Sequence, residues 1–137
     1  EINGADVYQT IKPKVVQHIK YIRPHLYIKG NPAGSIKVKI LAEDGTLIKE
    51  SNVVNFSAIT SAPEYHGYIT FDLDVSLKKN TNYKLAVSCL NGYSFNESAF
   101  CGVCTDYDLN KYSSTQTYTH GLQAPMDFEI WCISNKG

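Results

Sequence analysis

Four cysteines and four histidines hold most of the nucleophilic and metal-binding chemistry available to this 137-residue chain. Cys101-Gly-Val-Cys104 has the spacing of a redox pair or of half a zinc site. A redox pair needs a helix N-terminus to stabilise its thiolate, and no helical periodicity follows Cys104. A zinc site needs a second close pair, whereas Cys89 and Cys132 fall on separate predicted strands. On a strand over 99–105, Cys101 and Cys104 also point to opposite faces. The cysteines therefore read as buried or half-buried free thiols, with a Cys–Cys bridge as the first alternative and zinc as the second. His18, His25, His66 and His120 are scattered, and His18 and His25 differ in strand parity, so no metal site is read from them. No Ser or Cys stands in a local motif with a His, and Asp72 and Asp74 read as solvated carboxylates on one strand face. The expectation is a protein that is not an enzyme.

Binding chemistry is better supplied. The chain has ten Tyr and one Trp. Tyr21, Arg23, His25, Tyr27 and Lys29 recur with period two and so share one face of a strand. Aromatic rings stack on the apolar faces of sugars while charged groups bond hydroxyls, which makes this row a candidate glycan platform. Ahead of that reading stand a plain outer face whose Tyr rings and Lys stems cover neighbouring strands, and then a protein interface. The polar stretch from Asp106 to His120 carries Tyr107, Tyr112 and Tyr118, and loops at the ends of sandwiches commonly hold ligands. Its Asp and Asn oxygens suit Ca²⁺, a hard cation, but lack EF-hand spacing, so a polar mobile loop without a ligand is the leading reading; no other cofactor is expected. Trp131 alternates with Phe128, Ile130 and Cys132, so it is either an exposed anchor or a ring tucked under the long loop.

These residues need strands to place them, and the apolar pattern supplies strands. Ile22, Leu26 and Ile28 run opposite the Tyr/Arg/His row, and Ile36, Val38 and Ile40 alternate with Lys37 and Lys39. Between them, Gly30-Asn-Pro-Ala-Gly34 has turn chemistry, so Tyr21–Leu41 reads as two strands around a tight turn, a hairpin. Pro24 within the first strand implies an edge position or a bulge. Val7–Ile11 is a short strand in a lead segment, 1–14, ahead of a single domain, 15–137. Asp44-Gly45 turns the chain into a strand at Leu47–Glu50. Residues 53–60 read as a short strand with a turn, or one helical turn. Residues 61–64 read as loop, and Tyr65-His66-Gly67 as its junction with a strand from Tyr68 to Ser76. Further strands are expected at Tyr83–Cys89, Ala99–Tyr107 and Met126–Ser134, with a short one at Tyr118–Leu122 inside the long loop 108–125. About eight to ten strands without an amphipathic helix indicate an all-β antiparallel sandwich or barrel.

The formal charge is zero, which argues against a phosphate-tracking basic surface and hence against nucleic acid. No apolar run approaches the ~18 residues of a membrane span. The chain opens at Glu1 without Met or an apolar leader, as a mature form or an excised domain would. Asn55-Phe-Ser57 and Asn96-Glu-Ser98 fit the glycosylation sequon.

Several stretches together suggest a family. They are Gly30-Asn-Pro-Ala-Gly34 with its Ile-Lys-Val-Lys-Ile strand, Asp44-Gly45-Thr46, Tyr68-Ile-Thr-Phe-Asp-Leu73, Leu77-Lys-Lys-Asn-Thr-Asn-Tyr83-Lys-Leu-Ala-Val87 and Asp127-Phe-Glu-Ile-Trp131. From about Val15 onward the chain resembles the jelly-roll β-sandwich modules of phage virion proteins and of bacterial carbohydrate-binding appendages. The resemblance implies a non-catalytic role, in binding glycans or in building a virion surface; the favoured expectation is a virion surface module, as in a fibre, an appendage or a capsid decoration, with or without affinity for host glycans. The alternative is a carbohydrate-binding module of a bacterial extracellular enzyme or adhesin. The implied location is a virion surface or the extracellular space. The implied partners are other virion proteins or further copies of the chain, up to a trimer, together with glycans.

Overall fold

The computed structural model describes Ile2, residues 6–104, and the strands Thr115–Gln116 and Phe128–Cys132. The alternation resolves into β1 (Val7–Ile11), β2 (Gln17–Lys29), β3 (Ser35–Ala42), β4 (Leu47–Glu50), β5 (Val54–Asn55), β6 (Glu64–Tyr68), β7 (Phe71–Leu77), β8 (Tyr83–Leu90), β9 (Phe100–Val103), β10 (Thr115–Gln116) and β11 (Phe128–Cys132). One 3-10 turn, Phe56–Ala58, follows β5. The ambiguous 53–60 stretch is thus a short strand and then a tight turn. The fold is an all-β sandwich of two antiparallel sheets packed face to face.

The first sheet runs β10-β1-β8-β3-β4, with β5 pairing β3 beside β4. The second is organised on β2. Along one flank β2 pairs β7 over Gln17–Ile22 and β6 over His25–Lys29; along the other it pairs β11 over Ile19–Pro24 and β9 over Leu26–Lys29. The chain passes repeatedly between the sheets. Inward residues fill the space between them: Ile19, Ile22, Leu26 and Ile28 from β2 face Ile36, Val38, Ile40, Leu85 and Val87, with Phe71, Leu73 and Leu77 from β7. Each such side chain contributes roughly 1.5–3 kcal/mol when fully buried. Val7 and Ile11 of β1 belong to the same core, so the segment read as a lead supplies a strand of the first sheet.

Three expectations change. The Tyr21–Leu41 stretch is two strands around a turn but not a hairpin, because β2 and β3 lie in different sheets and the Gly30–Gly34 turn carries the chain across the sandwich. Period two reports which face a residue takes, not which strand it pairs with. Both glycines have positive φ, at 61° and 93°, and at Gly34 a methyl group would sit 2.5 Å from the Leu90 carbonyl oxygen. The crossing therefore requires Gly there for two separate reasons. Pro24, secondly, is not at an edge. It is buried in a central strand, at the point where the flank partner changes from β7 to β6, and its carbonyl accepts a bond from Ile69 N–H at 3.2 Å. Thirdly, residues 64–67 are strand, not loop and junction, and β7 begins only at Phe71. The strand expected at Tyr118–Leu122 lies outside the described residues; the long polar stretch does contain one, β10 at Thr115–Gln116.

Candidate functional site

Beyond the bulge at Lys20 the even-numbered residues of β2, from Ile22 to Ile28, point inward, so Tyr21, Arg23, His25, Tyr27 and Lys29 lie on the outer face as their parity requires. The new element is β6. Its register sets Tyr68 opposite His25, His66 opposite Tyr27 and Glu64 opposite Lys29. Partners directly opposite share a face, so Glu64, His66 and Tyr68 join the row. The His25 ring stacks on Tyr68, with centroids 4.8 Å apart, and the Arg23 guanidinium lies 5.8 Å from the same ring. His25 Nε2 and His66 Nδ1 share a hydrogen bond of 3.2 Å. Tyr27 donates its hydroxyl to Glu64 at 2.7 Å. That bond, a little desolvation and the carboxylate's charge raise the phenol above its ordinary value, so Tyr27 stays a donor.

On the other flank, β9 places Phe100 opposite Lys29 and Gly102 opposite Tyr27. Phe100 packs on Tyr27 at 5.8 Å and on Phe95 at 5.3 Å, ring centroid to centroid. The outer face of the second sheet is thus an aromatic shelf: Phe95, Phe100 and Tyr27 at one end, His66, His25 and Tyr68 at the other, with Glu64 and Arg23 as polar groups. Beyond Arg23 the register continues the row, with Trp131 of β11 opposite Tyr21 and Glu129 opposite Arg23. Of the residues picked out by sequence, Tyr21, Arg23, His25 and Tyr27 come together here and Trp131 sits at the adjoining position of β11. Tyr107, Tyr112, Tyr118 and the loop considered for Ca²⁺ lie outside the described residues. The residues that sequence reasoning missed are Phe95 and Phe100 on one flank and, on β6, Glu64, His66 and Tyr68. The only signal for those on β6 is the alternation Glu64-x-His66-x-Tyr68, masked because the inward positions are Tyr65 and Gly67 rather than aliphatic.

A second polar cluster lies elsewhere on this sheet. His18 Nε2 is 2.5 Å from Asp74 Oδ1, and its Nδ1 is 2.8 Å from Ser76 Oγ. The composition is that of a hydrolytic triad, but the environment is not. Asp74 is 76% exposed, so water screens the carboxylate that a triad keeps buried against its imidazole. Leu73 and Asp74 together oppose Lys20, a β-bulge in which Asp74 takes φ 53°. The bonds from His18 and Ser76 hold that bulge in place. Asp72 and Asp74 are both exposed, as expected of solvated carboxylates.

Cys89, Cys101 and Cys104 are free thiols, with Cys101 buried and the others half-buried; Cys132 lies on β11. A hydrogen bond with Cys89 and then burial push the Cys101 thiol well above its ordinary value, which disfavours its thiolate. Among the described residues, no helix is long and apolar enough to cross a membrane. Comparison with family models, curated proteins and solved structures returns no match.

Proposed function

We propose that this chain is a non-catalytic recognition module of a virion surface (a fibre, an appendage or a capsid decoration) that holds a host-cell glycan on the outer face of β2, β6 and β9. The observation that carries the reading is the aromatic shelf itself. Tyr27, Tyr68 and His25 present half-buried rings for stacking, and Arg23, Glu64 and His66 stand beside them to exchange hydrogen bonds with hydroxyls. The virion setting rests on the sequence resemblance alone. The shelf equally favours a carbohydrate-binding module of a bacterial extracellular enzyme or adhesin. The two readings differ in assembly, since a virion component packs against virion proteins or copies of itself.

A glycan array run beside analytical sedimentation tests both. Glycan binding that falls at least tenfold in Tyr27→Ala and Tyr68→Ala, with thermal stability retained, supports the shelf. A protein blank on every glycan refutes it. Glycan binding by a strict monomer favours the extracellular module over the virion component, and a stable homo-oligomer favours the reverse.

A further inference from the structure

Sequence order keeps His25 and His66 far apart, but the β2–β6 register makes them diagonal neighbours on one face. Their facing nitrogens, Nε2 of His25 and Nδ1 of His66, are 3.2 Å apart, with ring planes inclined by 33°. Two imidazole nitrogens bound to Zn²⁺ at about 2.0–2.1 Å each, in tetrahedral geometry, lie about 3.3–3.4 Å from one another. Cis positions of a square-planar or octahedral ion bring them to about 2.8–3.0 Å. The observed spacing falls between these bites. The His25 ring is already held by its stack on Tyr68, so little rotamer freedom is lost in using it.

We propose that His25 and His66 form a two-imidazole chelate for a late first-row divalent metal ion, Zn²⁺ or Cu²⁺, on the outer face of the second sheet. Without metal, one ring donates its N–H to the other across the gap. On binding, the donor ring moves that proton to its far nitrogen, both near lone pairs turn to the metal, and no net proton is released if both rings start neutral. Among the described residues no group of three or more His, Cys, Asp or Glu side chains converges, so the pair supplies two ligands. Imidazole ligands select such ions over Ca²⁺ or Mg²⁺, which prefer oxygen. The inference stands whether or not the shelf takes a glycan, because it is read in sugar-free buffer.

The experiment is calorimetric titration of the whole chain with Zn²⁺ and with Cu²⁺, in a non-coordinating buffer, on the native protein and on His25→Gln, His66→Gln and the double variant. His18→Gln is the control for histidine chemistry elsewhere. His66 is exposed, so His66→Gln provides a test even if the His25 variant folds poorly. One saturable site is expected, weakened at least tenfold by either single change, abolished in the double variant and unaffected by His18→Gln. Nitrogen superhyperfine structure from two imidazoles in the Cu²⁺ electron paramagnetic resonance spectrum is the independent signature. Absence of saturable binding, or binding unchanged in the double variant as thiol ligation would give, overturns the proposal.

Discussion

Gly34 and Gly45 form a matched pair for testing how the chain crosses the sandwich. Their φ values are nearly the same, 93° and 92°, but nothing lies within 4 Å of a methyl group added at Gly45. At Gly34 that methyl would fall 2.5 Å from Leu90 O, 2.6 Å from Tyr93 N and 3.0 Å from Tyr93 Cα, all backbone atoms. An Ala at either site carries about 1–2 kcal/mol of left-handed strain. Restricting the unfolded chain offsets about 0.4–1 kcal/mol of it. Gly45→Ala should therefore cost about 1 kcal/mol. Gly34→Ala adds forced packing of about 1–3 kcal/mol, for a total of about 2–4 kcal/mol, because the end of β8 would have to move. Urea unfolding followed by tryptophan fluorescence measures both. With a slope of about 1–3 kcal/mol/M, the extra cost separates the two midpoints by about 1 M at unchanged slope. Coincident midpoints would refute the close approach of the Gly30–Gly34 turn to β8, and with it the account of how β2 and β3 are parted into two sheets.

Three further outcomes are expected. Tyr93→Phe removes the hydroxyl that accepts Cys101 N–H at 3.0 Å and donates to Ile2 O at 2.7 Å, and should cost about 1–3 kcal/mol in the same unfolding assay. Glu50 is held below its ordinary value by its bond to Lys37, which contributes stability above the unfolded-state value that is lost as pH falls through the folded one. Glu50→Gln should therefore flatten the decline in unfolding midpoint between about pH 5 and pH 3. Cys101, buried and raised, should resist a maleimide in the folded protein while half-buried Cys89 and Cys104 label faster, as peptide mass mapping will show.

Apolar alternation was enough to find β2, β3, β7 and β8 and to say which of their faces is buried. It could not find the partners, because Ile22 and Ile36 carry the same inward signal in opposite sheets. Strand β6 was hidden for a local reason: Gly67, opposite the fully buried Leu26, supplies no side chain, and the Tyr65 hydroxyl lies 2.8 Å from where its methyl would be. An inward pair of Tyr and Gly does not look like a core strand. The same gap hid half of the shelf. Arg23, His25 and Tyr27 could be grouped by parity along one strand, but Glu64 and His66 join them only through a register that no local pattern encodes. Ala86 and Ser88 show the reverse effect: on the outer face by parity, they are nonetheless buried, since small side chains on a central strand are shielded by longer neighbours such as Tyr8 and Lys39.

The central place of β2 also sets a timetable for synthesis. This 13-residue strand is made early, but its partners β6, β7, β9 and β11 come from Glu64 onward to Cys132. At about 5–20 residues per second, the ~50 residues to the end of β7 and the ~100 to the end of β11 leave β2 short of partners for several seconds, up to on the order of ten. An unpaired apolar strand of this length is a template for its own copies on neighbouring nascent chains. Pro24 stands in the middle of it without a backbone donor, and Lys20 and Lys29 punctuate its two halves. The residue at which the partner changes in the finished sheet thus also removes one donor from the middle of that template, the property by which a gatekeeper proline weakens pairing between unfolded chains.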